Sequence, residues 1–453
     1  MYNNLPVLME NILYTDSLMN SYYSNLEENT INEALNEYRL RIDDLIINGL
    51  NEDEQSPLNI YLPGGEEIYS YKHGLLSMDK VILDDVLYEI SLRNNNSTSD
   101  AMLSPFIQED KQEKIDLTKK AIANFISFIK SNFELIRAGF ISFSRSNSML
   151  EEVERKDKIF EDNADRNFIY SFLPREVATM YERKLKVQPI RRLANTNKIK
   201  FVSEKTLPPE IMLEITDCES SYVNGYMYQS IVDSKLNDDR TFDFRLVLGK
   251  HENKRSYDSW VQGAVNRTIF FHYNTLMLNL KQSYAYGASL GTSCPFYANV
   301  LKKIDAQNNV SRRMIDVNIP FLDGLTPTEI FRIRTDYEDS FHSFRKVLRE
   351  TSYEIERSQS KKDIDLINKQ FNERIMDEGL SDVKERLKEY KRKSIKDFAL
   401  ETTPLIIGYL AAPSATTLTV GAFGLLKNIY DVWNGSGEVK RHPSYFILKS
   451  LKK

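Results

Sequence analysis

The chain has 453 residues, with 60 basic and 65 acidic side chains and a formal net charge of −5. Hydrophobic residues make up 41% of the chain and charged residues 28%, which excludes a fully disordered protein and leaves room for several domains. The charge balance shows no basic excess, which argues against general nucleic-acid binding. The two cysteines, Cys218 and Cys294, are too few for a disulfide scaffold or a cysteine-based zinc cluster.

The beginning of the sequence lacks a basic segment followed by an apolar one, which is the pattern of a signal peptide. We therefore expect a cytoplasmic protein in a reducing compartment. The abundance of Asn, Ile, Lys and Tyr suggests an AT-rich coding sequence of bacterial or phage origin.

Residues 1–320 alternate between helical and strand-like patterns, which favours a mixed α/β region. Apolar residues hold one face over 115–136, and Gly139 follows where a left-handed cap would end this helix. Residues 260–280 are apolar on nearly every side, which predicts a helix buried inside a large region. Short runs of β-type residues predict strands at 58–62, 81–83, 140–143, 199–202, 211–215 and 244–248.

Residues 321–400 are predicted to form a capped amphipathic helical hairpin or bundle. The sequence Thr326-Pro327-Thr328-Glu329 is that of a capping box, with Pro at the first helical position. A coiled-coil-like apolar seam with flanking charges follows, and such a seam packs either within the chain or on a protein partner. The candidate interaction seam consists of Ile330, Ile333, Tyr337, Phe341, Phe344 and Leu348.

Residues 401–453 contain an uncharged stretch of 25 residues, 402–426. Its length would cross a bilayer as one helix, but Pro413-Ser414 divides it, so we predict an apolar hairpin of two short helices. This hairpin is either a core element or a concealed membrane-inserting element. Its apolar residues are Leu405, Ile406, Ile407, Leu410, Leu418, Phe423, Leu425 and Leu426.

Recognisable catalytic and cofactor motifs are missing from the sequence. It contains no phosphate-binding loop, dinucleotide fingerprint, HExxH or CxxC pattern, so we predict no cofactor and assign no catalytic, cofactor-binding or metal-ligating residue. Asp84-Asp85 follows an apolar strand, and Glu89 comes one helical turn later, a pattern in which a nuclease would hold Mg²⁺. His272 is either a ligand or general base or a hydrogen-bonded core histidine, and we favour the core histidine.

Other reactive or charged residues have an ordinary structural interpretation beside a functional one. Cys218 and Cys294 are either nucleophiles or inert buried thiols, and the sequence shows no neighbouring base that would activate them. The pairs Arg191-Arg192 and Arg312-Arg313 are either phosphate-binding groups or ordinary surface arginines. We favour the ordinary interpretation in both cases.

Together these patterns predict a mainly α protein with a mixed α/β N-terminal region and a C-terminal helical hairpin or bundle. We expect a non-enzymatic binding or assembly subunit that acts through helical surfaces on a protein partner or on a second copy. The first alternative is a membrane-acting effector, of the toxin or abortive antiviral type, that uses residues 402–426. The second is a metal-dependent nuclease or another enzyme.

Overall fold

A computed structural model describes residues 1–49, 58–63, 70–95, 111–145, 164–193, 198–216, 222–236, 238, 242–286, 288–292, 296–297, 299–301, 303, 312–322, 324–358, 361–374, 385, 387–389, 391–392 and 400–410. Its helices are α1 Leu5–Met9, α2 Asp16–Asn20, α3 Glu28–Gly49, α4 Ser70–Ser77, α5 Val86–Asn95, α6 Lys111–Ser131, α7 Phe133–Arg137, α8 Ile169–Phe172, α9 Arg175–Lys184, α10 Lys254–Ala285, α11 Pro327–Asp336, α12 Glu338–Arg357 and α13 Lys361–Arg374. Its strands are β1 Asn59–Leu62, β2 Lys80–Asp84, β3 Ile141–Ser144, β4 Leu185–Arg192, β5 Ile199–Phe201, β6 Glu210–Ile215, β7 Tyr222–Met227, β8 Gln229–Leu236, β9 Phe242–Leu248, β10 Ser289–Thr292, β11 Arg312–Leu322 and β12 Leu400–Leu410.

The largest sheet has six strands in the order β11-β12-β10-β1-β2-β3. Its four strands β10, β1, β2 and β3 are parallel neighbours, with Ile60 opposite both Ser289 and Val81. Strand β12 pairs antiparallel with β10 on one side and with β11 on the other. The four residues of β1 are all buried, as is typical of parallel strands that are covered on both faces.

Alternate residues of the parallel strands enter two separate cores. Ile60 and Val81 belong to a first core, which is formed with α1, α3 to α7 and the helices after Thr326. Tyr61 and Ile82 belong to a second core, which is formed with α8, α9 and α10. Because successive side chains of a strand point to opposite faces, the sheet is the middle layer between two helical layers.

A second sheet is antiparallel, with the strand order β5-β4-β6-β7. Ile211 and Leu213 of β6 pack against Tyr257 and Ala264 of α10, so this sheet is attached to the body through one face of its central strand. The three residues of β5 are exposed. Strands β8 and β9 form a separate two-stranded hairpin.

The predicted helix start at Thr326 is confirmed. The Thr326 side chain accepts a hydrogen bond from the Glu329 backbone N–H at 3.3 Å, and the Thr326 N–H donates to the Glu329 carboxylate at 2.8 Å. Arg334, on the same helix α11, is buried and donates to the backbone carbonyls of Leu75 and Asp79. These bonds satisfy the Leu75 carbonyl in the last turn of α4 and the Asp79 carbonyl just before β2, and they tie the capped helix to the first core.

The prediction of a mainly α chain with a C-terminal helical hairpin or bundle is wrong. Residues 400–410 form a sheet strand with neighbours on both edges, and the architecture is mixed α/β. A short uncharged run of Leu and Ile suits a strand inside a sheet as well as a buried helix, and periodicity does not separate the two. Of the predicted hairpin, Leu405, Ile406, Ile407 and Leu410 lie in β12, whereas Leu418, Phe423, Leu425 and Leu426 lie outside the described residues.

Candidate functional site

The carboxyl ends of the four parallel strands lie at one edge of the six-stranded sheet. From β1 the chain proceeds to β2 and then β3 on one side, whereas β10 pairs with β1 on the other side. The described residues that come after β1, in α4, belong to the first core, and those that come after β10, Phe296 and Val300, belong to the second core. The β1–β10 boundary is therefore a topological switch point. Ligands of open α/β sheets bind in the crevice at such a point.

Asp84 is the last residue of β2 and joins three of these strands. Its carboxylate oxygen Oδ1 accepts hydrogen bonds from the Tyr61 hydroxyl of β1 at 2.7 Å and from the Ser144 hydroxyl of β3 at 3.1 Å. Burial and the neighbouring Asp84 raise the pKa of Tyr61 well above its ordinary value, so Tyr61 remains a neutral donor. Each strand thus supplies one polar group at the same edge.

Asp85 follows directly and is fully buried. Its Oδ1 accepts the backbone N–H of Tyr88 at 3.1 Å, which caps the first turn of α5. Its Oδ2 accepts the hydroxyl of Tyr2 at 3.0 Å and the hydroxyl of Tyr38. Burial raises the pKa of Asp85 to about 6, against the opposing effect of these donors, which favour the ionised carboxylate.

The N-terminal segment packs beside Asp85 and the end of β3. The Tyr2 backbone exchanges two hydrogen bonds with Phe143 of β3, at 2.9 and 2.8 Å. Asn4 is fully buried and lies beside Asp85 and Tyr38. Burial raises the pKa of both groups, and the Asn4 amide opposes part of that rise. Asp85 therefore connects the first residues, α3 and the end of β2 in one buried network.

The residue that follows α10, Tyr286, contributes a second tyrosine ring to the strand ends. The Tyr286 ring meets the Tyr61 ring edge-on, with 6.0 Å between their centroids. Gln282 donates to the backbone carbonyl of Arg145 at 2.6 Å and to the Tyr286 hydroxyl. Burial, with the nearby Asp84 carboxylate as the next cause, raises the pKa of Tyr286. These contacts hold α10 against the residue that follows β3.

Arg145 supplies positive charge at this edge. Its guanidinium lies 3.2 Å from the Asp43 carboxylate of α3, and the Tyr88 hydroxyl donates to the same carboxylate at 2.8 Å. Its guanidinium carbon also lies 5.5 Å from the centre of the Tyr88 ring. The Arg39 guanidinium lies 4.0 Å from the same Asp43 carboxylate, so the described residues here combine three aspartates with two arginines. This excess of acceptors favours ligands carrying hydroxyl or amino hydrogens.

The acidic pattern Asp84-Asp85-Glu89 does not form a metal centre in the described part of the chain. No three His, Cys, Asp or Glu side chains there lie close enough together to hold a metal ion. Asp85 instead caps α5, and Glu89 lies one turn along that helix, with its N–H bonded to the Asp85 carbonyl. Cys218 and Cys294 lie outside the described residues.

His272 lies in the second core rather than at the strand edge. It is fully buried, its Nδ1 shares a hydrogen bond of 2.8 Å with the Tyr181 hydroxyl, and its ring stacks on Tyr297. Burial lowers the pKa of His272 to about 3, so the imidazole is neutral near pH 7. This environment is that of a core histidine.

The residues of the candidate interaction seam lie on α11 and α12, except Tyr337, which is the cap residue between the two helices. Ile330, Ile333 and Leu348 are buried in the first core, so neighbouring parts of this chain already cover them. Tyr337 is partly buried against the same core. Phe341 and Phe344 lie within α12, and their side chains are outside the described part of the structure.

Sequence reasoning found Asp84 and Asp85 but missed the groups around them. Tyr2, Tyr38, Tyr61 and Tyr286 resemble ordinary core aromatic residues in the sequence, because only the fold brings their hydroxyls to one strand edge. Ser144 and Arg145 follow the predicted strand at 140–143, and this position at a strand end was the available signal.

Comparisons of the chain with protein-family models, with curated proteins and with solved structures find no match. Within the described residues, no helix combines the length and the apolar composition that a bilayer crossing requires.

Proposed function

We propose that this chain binds a small polar molecule at the carboxyl edge of β10, β1, β2 and β3. The observation that carries the proposal is the convergence of polar side chains from separate chain segments beside the switch point. Asp84, Tyr286 and Arg145 are only partly buried, so each keeps surface with which to contact a ligand.

The chemistry of these groups indicates the class of ligand. Aspartate accepts hydrogen bonds from hydroxyl and amino groups, tyrosine packs against a ring or sugar face, and arginine donates to ligand oxygens. A molecule with several hydroxyl groups, such as a nucleoside or a sugar, fits these groups best.

We propose binding rather than catalysis because of the position of Asp85. Its pKa of about 6 would suit proton transfer near neutral pH, but the side chain is fully buried and both oxygens accept hydrogen bonds from protein donors. Asp85 therefore holds Tyr2, Tyr38 and the start of α5 in position, and Asp84 is the carboxylate that would contact the ligand.

Thermal unfolding with panels of nucleosides, sugars, amino acids and polyamines tests this proposal. We expect one hydroxyl-bearing class to raise the Tm of the wild-type protein and to lose at least about tenfold in affinity in Asp84→Asn. Asp258→Asn on α10 is the matched control, because Asp258 is exposed and pairs only locally with Lys254. Ser144→Ala gives a milder variant if Asp84→Asn does not fold. A wild-type Tm that no class changes, or an equal shift in Asp84→Asn, would refute the proposal.

Assembly through helical surfaces is a second proposal, and exposed residues of α3 support it. Leu40 and Ile47 are exposed large apolar side chains seven residues apart, so they lie on one face of that helix. A protein partner or a second copy would cover them. The molar mass in solution, measured over a range of concentrations, should fall when both residues are changed to Ser, whereas the exposed Leu117→Ser on α6 should leave it unchanged.

We also propose a cytoplasmic location. Two cysteines in 453 residues suit a reducing compartment, in which folding does not depend on disulfides. Fractionation of expressing cells tests this location, and recovery of the protein in an exported fraction would contradict it.

A further inference from the structure

Three arginines converge at the amino end of β2. Asp79 immediately precedes this strand, and its carboxylate contacts two arginines of α12. Its Oδ1 lies 3.3 Å from Nε of Arg345, and its Oδ2 accepts a hydrogen bond from Nη2 of Arg349 at 2.9 Å. Arg334 of α11 donates to the backbone carbonyl of the same Asp79 at 2.6 Å. The fold thus brings three guanidinium groups to one aspartate.

This group of side chains carries more positive than negative charge. Glu338, the first residue of α12, is its second carboxylate and accepts a hydrogen bond from Nη2 of Arg345. Three guanidinium groups therefore face two carboxylates, and Arg334 and Arg345 are only 3% and 5% exposed. Burial, and next the nearby Arg345, lower the pKa of Arg334 to about 9. Arg334 is still charged near pH 7, but its surroundings destabilise that charge.

Two buried guanidinium nitrogens of this group have no hydrogen-bond acceptor in the structure. They are Nη1 of Arg345 and Nε of Arg334. A charged donor that is buried without an acceptor costs free energy, and a missing ion or water is a common reason for one in a native protein. The Nη1 and Nη2 groups of an arginine together suit two oxygens of one anion, but Glu338 is bonded only to Nη2 of Arg345. Arg345 is therefore half of a bidentate anion site without its second acceptor.

We infer that these arginines bind a phosphate-type oxyanion, either inorganic phosphate or the phosphate group of a small ester. Two oxygens of the anion accept hydrogen bonds from Nη1 and Nη2 of Arg345, in place of the Glu338 carboxylate, and a third accepts from Arg349. The side chains of Glu338 and Arg349 are 51% and 39% exposed, so both can move into solvent and admit the anion to Arg345. Asp79 keeps Arg345 oriented through its Nε.

The charge of the group favours phosphate over a carboxylate ligand. Once Glu338 is displaced, the three arginines carry three positive charges and Asp79 carries one negative charge. A phosphate group carries about −1.5 to −2 near neutral pH, so it balances the group almost completely. A monocarboxylate would only repeat the charge of Glu338 and leave one positive charge in excess.

This site is separate from the carboxyl edge of the large sheet. Asp79 lies just before β2 and Asp84 is its last residue, so about 17 Å separates them at roughly 3.3 Å per residue. Phosphate binding at Asp79 therefore does not require the ligand proposed at Asp84, and Asp84→Asn should not alter it.

Equilibrium dialysis of the full chain with radiolabelled inorganic phosphate, at constant ionic strength, tests this site. We expect one phosphate to bind per chain and unlabelled glycerol 3-phosphate to compete with it. The competitor that displaces the label at the lower concentration distinguishes free phosphate from a phosphate ester. Both should also raise the Tm of the protein, whereas acetate at the same ionic strength should not.

Two variants should change phosphate binding in opposite directions. Arg349→Gln removes one cation and should weaken binding by at least about tenfold. Glu338→Gln removes the competing negative charge and should tighten binding by about two- to fivefold. The control is Arg245→Gln, which should leave binding unchanged, because Arg245 also pairs with an aspartate, Asp233, but lies in the β8–β9 hairpin. Far-UV circular dichroism verifies folding, and Glu338→Gln serves alone if Arg349→Gln does not fold.

Three results would overturn the inference. The first is a wild-type protein that retains no labelled phosphate in dialysis. The second is phosphate binding that Arg349→Gln leaves unchanged or that Glu338→Gln weakens, because the anion would then bind elsewhere. The third is an equal rise of the Tm in acetate, because this result would assign the arginines to anions in general rather than to phosphate.

Discussion

In the parallel part of the large sheet, polar side chains turn inward at the strand ends, whereas in the antiparallel sheet they turn outward to solvent. Asp84 and Asp85 accept hydrogen bonds from residues that are distant in the chain. Lys200 and Arg191, by contrast, are exposed on a strand pair that is covered by little else. The difference lies in how the two regions treat polar side chains: at the strand ends of the large sheet they are hydrogen-bonded to one another, and on β4 and β5 they are exposed to solvent.

The largest effect is expected from substitution of Asp85, at the strand ends of the large sheet. Asp85→Ala leaves the hydroxyls of Tyr2 and Tyr38 and the N–H of Tyr88 without their acceptor, so it should lower the free energy of unfolding by about 3–5 kcal/mol. Asp233→Ala, which removes an exposed ion pair with Arg245, should cost about 0–1 kcal/mol. Urea unfolding measures both, and similar costs would remove the contrast between the two regions.

The pH dependence of stability should come from the same buried carboxyl group. The pKa of Asp85 rises from 3.8 to about 6 on folding, so the folded state holds this proton more tightly than the unfolded state. Its contribution to stability is therefore complete below about pH 4 and is lost as the pH rises through 6, a change of about 2–3 kcal/mol. Asp85→Asn should flatten this part of the profile, measured by urea unfolding from pH 4 to 7. An unchanged slope would show that Asp85 titrates normally.

Glu210 of β6 is an intermediate case, because it is a buried acid in the antiparallel sheet. Its carboxylate accepts the backbone N–H of Arg192 at 3.0 Å and lies 3.3 Å from the Arg192 guanidinium. Glu210→Ala should therefore cost about 1–2 kcal/mol in urea unfolding, between the values for the two regions. A cost as large as that of Asp85→Ala would mean that the antiparallel sheet depends equally on buried polar bonds.

The smallest expected effect is at the exposed hairpin. Phe201→Ser should change the free energy of unfolding by less than about 0.5 kcal/mol, because the ring is mostly exposed in the folded protein. Thermal and urea unfolding check this value. A loss of more than about 2 kcal/mol would show that Phe201 is a structural residue despite its exposure.

Short sequence patterns predicted the start of a helix correctly, but they did not predict which distant strands pair with each other. The cap at Thr326 depends on residues within one helical turn, and the spacing of Thr, Pro and Glu was enough to locate it. Residues 405–410 form an apolar run that is a strand because β10 and β11 pair with it. The sequence of the run itself does not reveal these partners.

The candidate site shows the same division. Asp84 was recognisable because it ends an apolar strand, and strand ends collect functional groups. The tyrosines whose hydroxyls bind the two aspartates come from the N-terminus, α3 and β1, and nothing in their own neighbourhoods distinguishes them from core residues. Their hydroxyls acquire a role only through tertiary contacts.

The order of strands in the large sheet has a consequence for synthesis of the protein. Strand β1 pairs on one side with β10, whose residues are synthesised about 230 residues after those of β1. At about 5–20 residues per second this interval lasts roughly 10–50 s. During that time β1, which is buried in the complete protein, lacks its β10 partner on one side. An unpaired strand edge of this kind can pair with strands of other chains and cause aggregation. We therefore expect newly made chains to depend on chaperones until β10 emerges.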